Sequence, residues 1–329
     1  MALYGGANDR GLPGRDLAGG GVTVAPLTVS ITTRNRPIAV ERCVRSLASI
    51  RDLVDSVIVL DDASDPPLDG ERLTAVAESA GIRLDILRQE QHTGTAAGKN
   101  TIARLARAPY LLSLDDDACL VGDGAVRDAL GVMQRDEAVA AVAFAQADAQ
   151  GRRLPAAQQP SAAQQPCYVP AFIGFACLIS KVRLLEIGGY RGAFVIHGEE
   201  REVCLRWLDR GLHVVYLPDA AVAHIADAAN RDPRTYVRQV MRNDCLAALY
   251  NEPLARAVCI IPYKLWSFTR MRAGLAGGDP GGLRWLLREV ARGAPAILRE
   301  RAPVRWETLR EWRRLRTLSP PYQPGVPAP

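Results

Sequence analysis

The sequence predicts an α/β fold, a mostly parallel Rossmann-like sheet flanked by helices, and three observations carry that prediction. Short apolar runs alternate with stretches of helical periodicity from residue 27 onward. Two of the apolar runs, "VIVLDD" and "YLLSLDDD", end in clustered carboxylates, and the carboxyl edge of an open α/β sheet is where ligands bind. A chain of 329 residues with 48% hydrophobic content can bury one large core or two modest ones.

The first half supplies the regular part. "LTVSITT" (27–33) reads as a strand, "IAVERCVRSLASI" (38–50) as a helix with apolar residues at helical spacing, and "SVIVLDD" (56–62) as a second buried strand. "GERLTAVAESAG" (70–81) is a helix, "IRLDILRQ" (82–89) a strand, "TAAGKNTIARLARA" (95–108) a helix and "PYLLSLDDD" (109–117) a strand. This βαβαβ rhythm predicts parallel pairing with helices on both faces. In the second half, "AVAAVAFAQAD" (138–148) is a strand and "GRRLPAAQQPSAAQQP" (151–166) a polar loop punctuated by proline. "FIGFACLISKVRLLEIGG" (172–189) is a strand running into a helix stopped by Gly188 and Gly189. "EEREVCLRWLDRG" (199–211) is a helix, and "HVVYLPDAAVAHI" (213–225) is extended.

Around this core the pattern predicts a flexible, glycine-rich leader over 1–25, a folded domain over 26–227 and an Arg-rich helical extension over 228–316. A proline-rich tail over 317–329 is expected not to pack. The balance of 41 basic against 36 acidic residues, a net charge of +5, is too mild for a dedicated nucleic-acid binder. Seven cysteines without a CxxC pair read as small buried hydrophobes in a reducing compartment, neither a zinc site nor disulfides. The first residues lack the features of a signal peptide, and no apolar run reaches the ~20 residues of a spanning helix. The expectation is a cytoplasmic protein. No GxGxxG or GxxxxGK[ST] phosphate loop occurs.

An isolated run of three aspartates is as readily a solvated loop as a site. The blocks around it decide. "VSITTRNRPIAVERCVRSL", "VIVLDDASD", "HTGTAAGKNTIARLA", "YLLSLDDDACL", "IGGYRGAFVIHGEEREVCLRWLDRG" and "VVYLPDAAVAHI" resemble, in order, the blocks of family 2 glycosyltransferases of the GT-A fold, from about Leu27 to Ile225. The resemblance implies an inverting, metal-dependent hexosyl- or deoxyhexosyltransferase. It would use a UDP, dTDP or GDP sugar, a hydroxyl acceptor (glycan, glycolipid or natural product) and Mn2+ or Mg2+. The nucleotide-sugar half would occupy about 26–120 and the acceptor half 121–227.

The resemblance also assigns residues. Asp115 and Asp117 match the family's DxD, with Asp117 on the metal and Asp115 or Asp116 nearer the ribose. A hard divalent cation would also explain why the carboxylates are tolerated together. Asp62 corresponds to the base contact, although an Asp in a turn also satisfies backbone donors. Thr32 and Arg34 flank the nucleotide, and the family often has Tyr where this chain has Arg34. Lys99 reaches the diphosphate, unless it is an ordinary exposed helical lysine. Glu200 occupies the position of the catalytic base, where Asp is commoner in the family, with Glu199 as the alternative. Glu202 and Arg206, four apart on a helix, form a structural pair. His224 completes the metal shell and His197 faces the acceptor, while His92 and His213 read as surface or core residues.

Two other functions compete. A nucleotidyltransferase would need a glycine-rich loop after the first strand, and "ITTRNRP" has no glycine. A catalytically silent GT-A domain, acting as a nucleotide-sugar binding or scaffold protein, is suggested by Glu200 and Arg34. In the extension, Leu283, Leu286, Leu287 and Val290, then Trp306, Leu309 and Trp312, form apolar faces surrounded by Arg. They either pack on the core or hold residues 283–316 peripherally on the inner face of the membrane.

Overall fold

In β1 (Leu27–Thr33), Leu27, Val29 and Ile31 enter the main core, and Thr28 and Ser30 between them are buried as well. Both faces are therefore covered, as a central strand requires. The structure, a computed structural model, describes residues 25–225, 232–275 and 277–326. β1 pairs in parallel with β2 (Val54–Asp61) and β4 (Tyr110–Asp115), and β2 with β3 (Leu84–Arg88). The connections are α1 (Pro37–Ser46), α2 (Gly70–Ser79) and α3 (Thr95–Leu105). Thr33 pairs with Asp61 and Thr32 with Asp115, so three carboxyl ends finish at one level. β4 stops at Asp115, and Asp116 and Asp117 turn the chain into β5 (Ala118–Leu120).

The second half adds α4 (Gly124–Arg135), β6 (Val139–Ala147), β7 (Cys167–Val169), β8 (Ala176–Ser180), α5 (Lys181–Glu186), α6 (Glu199–Leu208) and β9 (His213–His224). Strand order is β3-β2-β1-β4-β8-β6-β9-β5, with β7 also on β9. Among the described residues, β1 to β4, β6 and β9 run in one direction, and β5, β7 and β8 run against them. β6 is buried throughout. Its Val142 and Phe144 fill the main core, while Ala141, Ala143 and Ala145 share a second core with Phe172, Trp207 and Tyr216. Small residues on that face leave room for the aromatic rings. Residues 151–166 are irregular apart from a 3-10 turn at Ala156–Gln158. Gln159 fastens this loop by donating to the Gln146 carbonyl at 2.9 Å.

The extension forms α7 (Pro233–Asn251), α8 (Leu254–Ala273), α9 (Gly282–Glu300) and α10 (Trp306–Leu318). Val237, Met241, Phe268 and Leu286 unite the first three, and Phe194 packs with Leu246, Tyr250 and Ile297 to join them to the sheet domain. Most of the apolar residues that suggested membrane contact through 283–316 face inward. Leu286 and Leu309 are buried, and Leu283, Val290 and Trp312 pack against the cores, leaving Leu287 and Trp306 exposed. No described helix is long and apolar enough to cross a membrane.

The proline-rich tail, expected not to pack, docks on β7. Tyr168 N donates to Pro320 O at 2.8 Å, Tyr322 N donates to Pro166 O at 2.9 Å, and the Tyr322 ring meets Tyr168 edge-on at 5.5 Å. Proline removes a donor but keeps its carbonyl and favours extended backbone, so such a segment can lie along a sheet edge. Residues 327–329, and 1–24 of the expected leader, lie outside the described residues. Every cysteine is a free thiol, six buried and Cys259 exposed.

Candidate active site

The level strand ends and the start of α6 face each other across a cleft of about 540 Å3. Thr32, Arg34, Asp62, Lys99, Asp115, Asp116, Asp117, His197, Glu199 and Glu200 all line it. His224 stands beside Asp117, so all eleven candidate site residues are brought together.

The three aspartates have different surroundings. Asp116 is turned inward, accepting from Thr33 Oγ1 at 2.7 Å and from Arg36 Nη1 at 2.7 Å; the same nitrogen reaches Asp117 Oδ2 at 2.9 Å. Burial opposes the charge of Arg36, and the two carboxylates outweigh it and raise its pKa. Arg36 escaped the sequence reading. Arg34, closer to the strand, stays exposed, while Asn35 at φ 57° turns the chain between them. Burial raises the pKa of Asp116 against the bonds from Thr33 and Arg36. Burial also raises that of Asp115, despite Lys99 Nζ at 3.7 Å. Asp117 is lowered, because His224 and Arg36 outweigh burial.

His224 is held by its neighbours. Gln146 points its amide nitrogen at the Gln158 carbonyl, so its Oε1 accepts from His224 Nδ1 at 2.7 Å. Nδ1 therefore carries hydrogen. The other nitrogen, Nε2, lies 3.4 Å from Asp117 Oδ1, and the ring stacks on Phe175. Nε2 facing a carboxylate suits a shared proton or a cation, and the Gln146 bond is the kind that orients a ligating imidazole. Among the described residues no three such side chains already form a metal-binding group. The donor set instead fits a Mg2+-like ion, which takes one or two carboxylates and draws its remaining oxygens from substrate phosphates and water.

Asp62 accepts from Thr93 N at 2.8 Å, Gly94 N at 2.9 Å and His92 Nδ1 at 2.7 Å, and so shapes the loop that leads into α3. His92, read as a surface or core residue, belongs to the cleft wall. Lys99 is buried, unlike an ordinary helical lysine. Gly98 lets α3 approach Thr32, and Lys99 Nζ donates to Gly174 O at 3.4 Å. Burial alone would lower the lysine's pKa, but Asp115, Glu199 and Glu200 raise it to about 12.

α6 begins with Glu199 and Glu200 after His197 and Gly198, both at positive φ. Burial and the charge of Glu200 push Glu199 up to about 8, against the pull of Lys99. Its Oε2 has no hydrogen-bond partner. Burial thus favours the protonated form of Glu199. Glu202, on the same helix, is buried between Arg191 at 2.7 Å and Arg206 at 2.6 Å. The fourth wall is α7, where Thr235, Tyr236 and Gln239 line the cleft, and Gln239 Oε1 is buried without a partner. Tyr236 packs on His197 at 5.0 Å. Asp232 caps this helix at Arg234 N and Thr235 N. An Asp-Pro helix start was the sole sequence signal for this wall.

Residues 28–183 match the family profile described as Glycosyl transferase family 2. An uncharacterized glycosyltransferase of Haemophilus influenzae is 30% identical over 95 residues, which are 29% of this chain and 30% of that protein. Among solved structures, the mannosyltransferase PcManGT from Pyrobaculum calidifontis, in complex with GDP-Man and Mn2+, superposes with a TM-score of 0.52 at 18% identity. The match covers 82% of this chain and 75% of that one. GalNAc-T7 with UDP, GalNAc and Mn2+ gives a TM-score of 0.57 at 15% identity over 84% of this chain and 58% of that one. S. aureus TarS 1-349 in complex with UDP gives 0.50 at 14% identity over 74% and 70%. At these identities the superpositions speak for a shared GT-A type fold, and the profile match identifies residues 28–183 as a family 2 glycosyltransferase domain.

Proposed function

We propose that the chain transfers a sugar, with inversion, from a nucleotide diphosphate sugar to a hydroxyl acceptor. One observation carries this reading: the carboxylates of β2 and β4 and the buried Lys99 face Glu199 and Glu200 across one cleft. Asp115, Asp117 and His224 would hold Mn2+ or Mg2+, in keeping with the Mn2+ named for two structural neighbours. The ion would supply Lewis-acid neutralisation of the departing diphosphate. Lys99 adds a positive charge on the same side. Asp62 and Thr32 would frame the nucleotide and Arg34 its exposed edge, while Asp116, engaged by Thr33 and Arg36, keeps the turn in shape. Glu200 would take the acceptor proton, next to a Glu199 that keeps its own, with His197 and Tyr236 on the acceptor side.

A thermal-shift panel of UDP, GDP, dTDP and CDP with Mn2+ or Mg2+ tests the donor side. A nucleotide at a hundred times its dissociation constant stabilises by ~2.7 kcal/mol. Asp117→Ala is expected to lose the metal-dependent shift and turnover while keeping a cooperative thermal transition, at a melting temperature lowered by the loss of the Arg36 pair. Metal-stimulated turnover near the wild-type rate in that variant would remove Asp117 from the metal site. Glu200→Gln should keep the nucleotide shift and lose ~10²–10⁴-fold in turnover. A nucleotide shift without release of nucleoside diphosphate from any donor sugar would make the chain a silent binding domain.

A further inference from the structure

Exposed hydrophobic side chains recur along α8. Leu254 (70% exposed), Val258 (64%), Tyr263 (62%) and Trp266 (52%), with Pro262 between them, occupy its outer half, and the inner half buries Ala257 and Phe268. Single exposed hydrophobics need no explanation, but a helix-long stripe does. α8 contains no acidic residue. Arg270 closes the stripe, its guanidinium 5.0 Å from the Trp266 ring.

α9 packs beside α8 on α7 and turns Arg284, Leu287, Arg288 and Leu298 outward. Residues 254–300 hold eight Arg or Lys against three Asp or Glu. Asp279 is buried against Arg238, Glu289 pairs with Arg242 and Arg292, and Glu300 pairs with Arg299. The acids are thus engaged, and the outer field is positive.

We propose that the outer faces of α8 and α9 form a docking surface for an anionic lipid bilayer, on which the protein lies without crossing it. An apolar helix half edged with Trp and Tyr suits the zone between headgroups and acyl chains. The arginines of α9 match a negative surface. A second copy is a poorer occupant, since a two-fold contact through this face would set the same arginines against one another.

Vesicle flotation of the full chain tests this surface. Binding is expected with phosphatidylglycerol-containing vesicles, not with pure phosphatidylcholine, and should weaken as sodium chloride rises from about 50 to about 500 mM. Val258→Glu with Trp266→Ala should abolish it. Arg284→Glu with Arg288→Glu should weaken it roughly 25-fold or more, from about fivefold for each basic residue near the surface. Arg83→Glu with Arg104→Glu, exposed on the sheet domain, should leave it unchanged. Melting temperatures near wild type establish that the variants fold. No binding to anionic vesicles at low salt, or equal binding by the α8 variant, overturns the proposal. So does a dimer in sedimentation velocity that Val258→Glu dissociates while vesicles are ignored.

Discussion

Gly174 serves the site without a side chain. Its carbonyl accepts from Lys99, and a Cβ at this position would overlap Glu200 Oε1. Its φ is not positive, so alanine is compatible with the backbone and its methyl group must instead displace the carboxylate. Misplacing a catalytic group by about 1 Å can cost ~10²-fold in rate. Gly174→Ala is therefore expected to keep the donor-nucleotide thermal shift and lose turnover on that order; wild-type turnover would show that Glu200 does not need this position. Glu199 makes a separate prediction, about stability. Its pKa rises from the ordinary 4.5 to about 8 on folding. Between those values the folded chain keeps a proton that the unfolded chain has lost, so this group makes stability fall as pH rises through the window and level off above it. Glu199→Gln should flatten that slope in urea midpoints measured at pH 5, 6.5 and 8. An unchanged slope would mean that Glu199 is ionised in the fold.

At the scale of elements, α6 is fixed by a buried charge. Glu202 accepts from Arg191 and Arg206, and Asn251 of α7 donates to the same carboxylate at 3.1 Å. Removing one partner of a buried ion pair costs about 3–5 kcal/mol, because the others are left uncompensated. Glu202→Ala should lose stability on that scale in equilibrium denaturation, and a loss below about 1 kcal/mol would make the triad a surface-like pair. This contrast shows what the sequence could disclose. Glu202 and Arg206 were legible because they sit four apart on one helix, as were Asp62 and Asp115 to Asp117 because strand ends are readable from apolar runs. Arg191 and Asn251 were not, since only folding brings them to Glu202. Arg36 was missed because the turn at Asn35 decides which of two neighbouring arginines faces the acids. The α7 wall was missed because Tyr236 and Gln239 belong to no motif. The tail was misjudged on composition, which does not reveal that β7 offers an edge for Pro320 and Tyr322.

For the molecule as a whole, the family match ends at residue 183, yet the cleft does not. Glu199, Glu200 and His224 lie beyond it, and α7 supplies a wall. The extension also holds the loop before α6: Asn243 donates to the carbonyls of Ile196 and His197 at 2.7 and 2.6 Å, and Arg242 to that of Ala193 at 2.8 Å. Phe194 has its core partners on α7 and α9. A chain ending at Ile225 would uncover Phe194, leave Glu202 without Asn251, and free the turn that presents Glu199 and Glu200. Large apolar side chains stabilise by about 1.5–3 kcal/mol each when buried, a large share of a margin of about 5–15 kcal/mol. Such a truncation is expected to lose the cooperative thermal transition and the donor-nucleotide shift together, because the extension completes the cleft as well as the core. A truncated chain that melts cooperatively and still responds to nucleotide with Mn2+ would instead make α7 to α10 an appendage to a self-sufficient domain.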